Sequence, residues 1–438
     1  MKSILPYSAF VAFLLLAQWS TALLANSKLV EVGYSFRKKS SGGIATAIVA
    51  PDTGKIVGYR TLLDSPKCLR PLKVRRTPNG QLVVTNYSKK DPQLFIVSLS
   101  KTKTAQKVRL PAEPDELRIV DNQGIVTCEK DILAIVDIAR ARVESSWDVS
   151  KVYRPAANSP QGIFITANQQ YAVISFQKDS VTGKKKGSRL AVYELPKMIR
   201  VADLQLPRNR PEVHIKTNRK EQGPGPEISF VSGNTLMVTL DLYGGVGFMD
   251  WSAAKINRMQ NWTDLPTSLD GRWGVAFPDR VCPVSLGNFR GILVCNAGEA
   301  GGIVLVDLNQ RNLVWKQPVP PGLEHPVFIP ELKKAYSVCS GKIKIRQKKK
   351  VTKVYHPQKS LYCVDFTSGD VAAASVTTTP ISDDFAMRVT RIGTDRPLLL
   401  IALGAEPEKP TIIATFDPIT NRVLDSKPAV GILGRFER

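Results

Sequence analysis

A single hairpin pattern repeats along this chain, and it limits the possible folds more than any other feature. Each copy has an apolar run of β-forming residues, an acidic or small residue, a short turn and a second β-forming run. The first runs of the eight copies end at Ala50, Ser98, Asp137, Glu194, Asp250, Asp307, Asp365 and Asp417, which lie 39 to 58 residues apart. A repeat of this length predicts one supersecondary unit per copy, stacked against its neighbours.

Each repeat also has room for two further strands. Before most hairpins comes another β-forming run that ends in small polar residues, such as QLVVTNY from Gln81, GIVTCEK from Gly124 and TLMVTL from Thr235. A short apolar strand and a turn precede these runs, as in GIFITANQQ from Gly162. Four short strands with turns between them are typical of a propeller blade. The sequence therefore predicts an all-β fold, with residues 26–438 as one β-propeller domain, whereas a β-sandwich would not need the same hairpin eight times.

The two ends of the repeat region predict how the ring closes. One good strand, KLVEVGYSF from Lys28, precedes the first hairpin, and AVGILGRFER from Ala429 resembles the opening strand of another blade. Pairing these two segments would close the ring and remove exposed sheet edges. We therefore predict eight blades, and the alternative is seven blades with the N-terminal hairpin as an annex.

Two segments resemble known propeller repeats. LVVTNYSKKDPQLFIVSLSKTKTAQKVRL, from Leu82 to Leu110, resembles the repeat of YVTN-type β-propellers, and VDLNQRNLVW, from Val306 to Trp315, is similar to the tryptophan-docking repeat of quinoprotein-like propellers. The resemblance implies the fold. A quinoprotein dehydrogenase would be expected to carry several such Trp residues and a calcium site, but only the hairpin of Asp307 places Trp eight residues on. The recurring Asp is better explained as a corner carboxylate that accepts hydrogen bonds from turn amides.

The first 25 residues have the pattern of a secretory signal peptide. Lys2 is followed by an apolar run from Ala9 to Ala17 and then by the small residues Ser20, Ala22 and Ala25. This run is too short to span a membrane comfortably, and no later run approaches 18 apolar residues. We therefore predict a secreted or periplasmic protein without a transmembrane segment.

The chain is strongly basic, with a formal net charge of +23. Such a surplus favours anionic partners, such as an acidic or sulfated polysaccharide or an envelope surface. The candidate ligand-binding residues are two lysine triplets in predicted loops, Lys184, Lys185 and Lys186, and Lys348, Lys349 and Lys350. Aromatic residues do not alternate with these lysines, so nucleic acid is not the expected partner. The alternative is a solvated basic surface with no dedicated partner.

Six cysteines fit an oxidising compartment. The preferred disulfides join Cys282 to Cys295 across a predicted hairpin and Cys339 to Cys363 in neighbouring strands, which leaves Cys68 with Cys128. The three histidines are far apart and there is no Cys-x-x-Cys motif, so we predict neither a metal site nor a cofactor.

No catalytic motif of the common hydrolases, metalloproteases or nucleotide-binding enzymes is present. The favoured interpretation is therefore a monomeric, non-catalytic scaffold that binds an anionic polymer or a partner protein through one end of its ring. One alternative is a lactonase-like or quinoprotein-like enzyme with its site in the central channel. The other is a structural envelope component without a discrete ligand.

Overall fold

The computed structural model describes residues 29–437 with internal gaps. The gaps are 101–104, 150–156, 167, 180–188, 206–225, 233–234, 241–244, 251–260, 265–279, 296–301, 318, 320–322, 324–325, 339–341, 348–349, 356–359, 382–385, 393–395 and 405–410. The predicted signal peptide lies outside the described residues.

The described strands form eight four-stranded antiparallel sheets, blades 1 to 8, and one separate two-stranded hairpin. Blade 1 contains β1 (Val30–Arg37), β2 (Gly42–Ala50), β3 (Lys55–Ser65) and the last strand, β34 (Ile432–Phe436). Blade 2 contains β4 (Pro71–Arg76), β5 (Gln81–Asn86), β6 (Gln93–Ser98) and β7 (Ala105–Arg109). Blade 3 contains β8 (Pro114–Val120), β9 (Gln123–Cys128), β10 (Ile132–Asp137) and β11 (Arg142–Asp148). Blade 4 contains β12 (Ala157–Ile165), β13 (Tyr171–Asp179), β14 (Arg189–Glu194) and β15 (Ile199–Gln205).

The second half of the chain repeats this arrangement. Blade 5 contains β16 (Pro226–Ser232), β17 (Thr235–Leu240), β18 (Gly245–Asp250) and β19 (Asn261–Asp264). Blade 6 contains β20 (Arg280–Leu286), β21 (Phe289–Cys295), β22 (Ile303–Asp307) and β23 (Asn312–Gln317). Blade 7 contains β24 (Val327–Ile329), β25 (Lys334–Val338), β28 (Ser360–Asp365) and β29 (Ser375–Pro380), and blade 8 contains β30 (Ala386–Ile392), β31 (Leu398–Leu403), β32 (Ile412–Asp417) and β33 (Arg422–Pro428).

The separate hairpin, β26 (Lys342–Gln347) and β27 (Lys350–Tyr355), is inserted between the second and third strands of blade 7. We call it the inserted hairpin. Two short 3₁₀ helices, Pro330–Leu332 and Val371–Ala373, lie in turns of the same blade.

The eight blades form a closed ring. We number the strands of a blade by their order in the sheet, so the first strand of blade 1 is β34, followed by β1, β2 and β3. The first strand of each blade contacts the first strand of the next, in the order β4, β8, β12, β16, β20, β24, β30 and β34, and β34 contacts β4. The last strand, β34, also pairs with β1. The prediction of a propeller closed by its N- and C-terminal strands is therefore confirmed, and the described residues contain eight sheets, as the preferred count predicted.

The hydrophobic core is divided among the interfaces between blades. The cluster between blades 2 and 3 contains Ile96 and Val126, and the cluster between blades 6 and 7 contains Leu305 and Val364. Both faces of each middle strand pack against a neighbouring blade, which explains their continuous apolar runs. Burying such a side chain contributes about 1.5–3 kcal/mol. Trp315 is partly buried and packs against the cluster between blades 6 and 7.

The recurring aspartates are corner residues. The Oδ1 atoms of Asp307, Asp365 and Asp417 accept hydrogen bonds from the amides of residues 309, 367 and 419 at 2.7, 2.8 and 2.9 Å. Asp137 accepts an equivalent bond from the amide of Arg140 at 2.9 Å. These carboxylates shape the turn between the third and fourth strands, which confirms the structural interpretation of the repeat.

Strand direction alternates within each blade, so the connections fall into two groups. Those from the second to the third strand, and from the fourth strand to the next blade, leave the ring at one end. We call this the insertion end, because the inserted hairpin leaves from it. The turns of the corner aspartates lie at the opposite end.

The predicted disulfide between Cys282 and Cys295 is wrong. The register of β20 and β21 places Cys282 opposite Leu293 and Cys295 opposite Arg280. Both cysteines therefore carry thiols. Neighbouring strands were correctly predicted here, but the pairing offset of two residues keeps the side chains apart.

The other predicted disulfides are also not formed. Cys68 and Cys128 belong to clusters on opposite sides of blade 2, and burial raises the pKa of each thiol to about 12. Cys363 lies opposite Tyr336 and carries a thiol, which contradicts its predicted bond to Cys339, a residue outside the described part of the chain.

Candidate functional site

The first strands of blades 1 to 4 carry a repeated β-bulge. In each, the pairing with the second strand shifts by one residue opposite a fully buried Ser or Thr. The hydroxyl of that residue accepts a hydrogen bond from a bulged amide at 2.8 to 3.1 Å. The pairs are Ser35 with Arg435, Thr85 with Lys73, Thr127 with Glu116, and Ser175 with Gly162. A bulge redirects side chains, and three of the four amide donors are charged residues.

These bulges bring charged side chains together where the first strands of neighbouring blades meet. Glu116 Oε2 lies 2.5 Å from Lys73 Nζ, and Glu116 Oε1 lies 2.8 Å from Arg75 Nη2 and 3.4 Å from Arg118 Nη1. Arg118 also donates from Nε to the carbonyl oxygen of Ile163 in blade 4 at 3.0 Å. We call Lys73, Arg75, Asp115, Glu116 and Arg118 the inner-wall cluster, because together they span the first strands of blades 2 and 3.

The electrostatics of the cluster follow from its partial burial. Burial alone would raise the pKa of Glu116, but Lys73, Arg118 and Arg75 lower it to about 2. Burial lowers the pKa of Lys73, and although Glu116 opposes this effect, the charges of Arg435 and Arg75 reinforce it. Glu116 is therefore ionised across the physiological pH range, and the cations around it repel one another.

Asp115, the bulged residue beside Glu116, titrates in a different range. Burial raises its pKa to about 6, Glu116 and Glu129 act in the same direction, and Lys73 and Arg435 oppose them. The charge of the inner wall therefore becomes more positive as the pH falls through about 6.

A second ion pair fastens blade 2 to the closing strands. Arg76 binds Glu437 in a bidentate manner, with Nε and Nη2 at 2.8 and 2.7 Å from the two carboxylate oxygens. Glu437 Oε1 also accepts a hydrogen bond from the amide of Gly33 at 2.7 Å. The closing seam is therefore held by charge as well as by strand pairing.

The inserted hairpin places basic residues on one of its faces. Residues directly opposite each other share a face, and faces alternate along a strand. The register pairs Lys344 with Lys353 and Arg346 with Val351. One face therefore takes Lys342, Lys344, Arg346 and Lys353, together with Val351 and Tyr355, and the other takes Ile343, Ile345, Thr352 and Val354, with Gln347 and Lys350.

The predicted lysine triplets lie mostly outside the described residues. This holds for Lys184, Lys185, Lys186, Lys348 and Lys349. Lys350 begins β27 and is paired with Gln347. The first triplet belongs to the connection between β13 and β14 and the second to the connection between β25 and β28, so both connections start at the insertion end.

The sequence predictions missed the inner-wall cluster. A usable signal was present, because a proline precedes the bulged amide donor by two residues in three blades. Pro71 precedes Lys73, Pro114 precedes Glu116 and Pro160 precedes Gly162. This pattern, followed by a Ser or Thr near the end of the next strand, marks the bulge.

Within the ranges that the structure describes, no three His, Cys, Asp or Glu side chains are grouped so that they could hold a metal ion. The same residues include no helix long and apolar enough to cross a membrane.

The closed ring of four-stranded blades defines the chain as a β-propeller, the fold that the YVTN-type and quinoprotein-like resemblance implied. Dihydro-heme d1 dehydrogenase NirN in complex with DHE superposes with a TM-score of 0.64 at 10% identity, over 92% of this chain and 74% of that one. Apo AztD from Citrobacter koseri gives 0.53 at 13% identity, over 93% and 98%. The computationally designed Ika8 protein gives 0.53 at 8% identity, over 83% and 88%. No family model and no curated protein sequence matches the chain, so the likeness concerns the fold alone.

Proposed function

We propose that this protein is an exported, non-catalytic β-propeller that binds an anionic polymer at its insertion end. The observation that carries the proposal is the register of the inserted hairpin, which groups four basic residues on one face. A linear polyanion presents charges at regular intervals, and a row of Lys and Arg residues matches it by simple Coulomb attraction.

The pairing of Lys344 with Lys353 supports an anionic ligand. Like charges directly opposite each other destabilise an antiparallel ladder. A hairpin that carries such a pair, with Lys342 and Arg346 on the same face, gains stability when an anion lies along that face. The net charge of +23 acts in the same direction by attracting polyanions from a distance.

The two lysine triplets extend the same surface in this proposal. Both belong to connections between second and third strands, which leave the ring at the insertion end. Binding through several cations would weaken steeply with salt, because each contact is screened and releases counterions. The predicted signal peptide supports a secreted or periplasmic location, where acidic and sulfated polysaccharides are available as ligands.

The test is retention of the purified protein on sulfated and carboxylated polysaccharide columns in a salt gradient. The double variant Lys344→Gln/Lys353→Gln should elute at clearly lower salt than the wild type. The matched control is Lys107→Gln/Arg109→Gln, which removes two exposed charges from the fourth strand of blade 2. Equal shifts for the two double variants would show that only net charge matters and would overturn the proposal.

A further variant distinguishes the contribution of the second lysine triplet from that of the pair Lys344 and Lys353. Changing Lys348, Lys349 and Lys350 to Gln removes the second triplet but keeps the pair of Lys344 with Lys353. We expect this variant to elute between the control and the hairpin double variant. If a partner protein rather than a polymer were the ligand, neither column would distinguish the variants.

A further inference from the structure

Within the inner-wall cluster, the described side chains include more cations than carboxylates. Lys73, Arg75 and Arg118 surround the single carboxylate of Glu116. Arg435, on the first strand of blade 1, adds a fourth cation whose charge acts on both Lys73 and Asp115. Among the described residues, four cations and the carboxylates of Asp115, Glu116 and Glu129 thus act on one another here, and Asp115 is neutral below a pH of about 6.

This surplus lies in a partly buried place. The side chains of Lys73 and Glu116 are 15% and 12% exposed, and that of Arg118 is 35% exposed. Repulsion between like charges is stronger there than in bulk water, because the surroundings are less polarisable. Neighbouring cations contribute to the lowered pKa of Lys73. An added anion would offset that repulsion and raise the pKa of Lys73.

The cluster also has the chemistry that recognises oxyanions. A guanidinium group presents several N–H donors in a plane and binds carboxylate, phosphate or sulfate oxygens through two of them. Arg118 is the most exposed of the three cations that contact Glu116, and its Nη1 is the most distant from that carboxylate, at 3.4 Å. The bulge hydrogen bonds of Thr85 and Thr127 fix the backbone on which the charged residues sit.

We propose that the inner wall binds an oxyanion, a phosphate, sulfate or carboxylate group, beside Lys73, Arg118 and Arg435. The site belongs to blades 1 to 3, whereas the inserted hairpin belongs to blade 7. The proposal is therefore independent of the polymer-binding surface, and either can fail alone.

Binding at this site should strengthen at acidic pH. Protonation of Asp115 removes one negative charge next to the anion. The groups that act on this carboxyl or respond to it are Lys73, Glu116, Glu129, Arg435, Tyr87 and Cys128. Burial raises the pKa of Asp115 to about 6, which lies between the two pH values of the test below.

The experiment is a calorimetric titration of the full chain with inorganic sulfate at constant ionic strength, at pH 5.0 and pH 7.5. Sulfate keeps the same charge at both values, so a pH effect comes from the protein. We expect tighter binding at pH 5.0. Arg118→Gln should weaken binding by about 10-fold or more, the usual effect of losing a charge-assisted hydrogen bond.

The matched control is Arg142→Gln, which removes an exposed charge from the fourth strand of blade 3. It should leave sulfate affinity unchanged. Equal affinity in Arg118→Gln and Arg142→Gln, or no sulfate binding by the folded wild-type chain at either pH, would overturn the proposal. Asp115→Asn should bind sulfate equally at both pH values, and a persistent pH effect in that variant would contradict the role given to Asp115.

Two more titrations separate the possible sources of the anion. Succinate tests a carboxylate group, and a sulfated disaccharide tests the end of a polymer chain. The hairpin variant Lys344→Gln/Lys353→Gln should keep its sulfate affinity while losing column retention. Loss of both activities in that variant would show that there is one site and not two.

Discussion

Blades 3 and 6 are built from the same repeat but use their first strands differently. In blade 3, β8 carries a bulge and the charged residues Asp115, Glu116 and Arg118. In blade 6, β20 pairs with β21 without any shift in register. The position that holds Thr127 in blade 3 holds Val294 in blade 6, a residue that cannot accept a hydrogen bond from a bulged amide.

The difference shows how one fold produces two kinds of inner wall. In blades 1 to 4 a buried hydroxyl in the second strand accepts a hydrogen bond from the extra amide, so the bulge leaves no buried amide without a partner. The bulge in turn redirects the side chains of the first strand, several of which are charged. In blade 6, where valine replaces the hydroxyl, the first strand stays regular, and Val294 and Ile292 pack in an apolar cluster. The first strands of blades 5 and 8 keep a register shift opposite apolar residues, so a hydroxyl accompanies the bulge in blades 1 to 4 and not in every blade. The polar inner wall is therefore a local elaboration of an apolar scaffold.

The largest expected effect comes from removing the central carboxylate of the cluster. Glu116→Gln leaves Lys73 and Arg75 partly buried without their counter-ion, so we expect a loss of about 3–5 kcal/mol in the free energy of unfolding. Chemical denaturation measures this loss. The control Glu144→Gln changes an exposed residue on the fourth strand of the same blade and should cost less than about 0.5 kcal/mol. A similar small cost for Glu116→Gln would mean that the cluster is no more important than surface charge.

The next effect depends on pH and concerns Asp115. Its pKa in the folded protein, about 6, lies above the ordinary value of 3.8 for an aspartate side chain. Between these values the folded chain holds a proton that the unfolded chain has released, so stability falls as the pH rises through this window. Asp115→Asn removes that loss, and we expect the variant to gain up to about 3 kcal/mol relative to wild type between pH 4 and pH 7.

Thermal unfolding at several pH values tests this sign. The difference between Asp115→Asn and wild type must grow with pH, because Glu116, with a pKa of about 2, does not titrate in the window. A difference that shrinks as the pH rises would show that Asp115 is stabilised as a carboxylate, and would remove it from the cationic inner wall.

A smaller effect is expected from the hydroxyl that supports the bulge. Thr127→Val keeps the shape of the side chain but removes the acceptor of the Glu116 amide, which lies 3.1 Å away. An unsatisfied buried amide costs about 1–3 kcal/mol. Thr378→Val, at an exposed position of β29, is the control and should be nearly neutral. Equal costs would mean that the bulge does not depend on the hydroxyl and would break the comparison with blade 6.

The smallest effect is expected for an exposed ion pair that joins blade 7 to blade 8. Arg391 Nη2 lies 2.6 Å from Glu331 Oε1, but the two side chains are 26% and 51% exposed. Pairs of this kind contribute less than about 1 kcal/mol. Arg391→Gln should therefore change the denaturation midpoint only slightly, and that small shift should vanish in high salt.

The sequence was most informative where a pattern is local. The corner aspartates, the hairpins and the apolar middle strands each depend on residues a few positions apart, so the repeat predicted them. The closing of the ring was also predictable, because a lone strand at either end of a propeller needs a partner. Asp307 and Asp417 keep the same role although their hairpins share few other residues.

The inner wall and the thiols were not predictable in the same way. Arg75 and Glu116 are 41 residues apart, and Arg76 and Glu437 are 361 residues apart. Contacts of this kind depend on which side chains meet across neighbouring blades, and although the proline pattern marks a bulge, it does not identify those partners. The error for Cys282 and Cys295 has the same origin, since neighbouring strands do not imply facing residues.

Ring closure by β34 has a consequence for the order in which the molecule is assembled. β1, β2 and β3 are synthesised long before β34, the strand that completes their blade, because Gly33 bonds to Glu437, 404 residues later in the chain. Until then the edge of β1 can pair with another chain. Closing so long a loop makes this step late and slow. The vulnerable period therefore lasts until β34 has been synthesised and has paired, and during it a protein that binds the exposed edge of β1 would compete directly with β34.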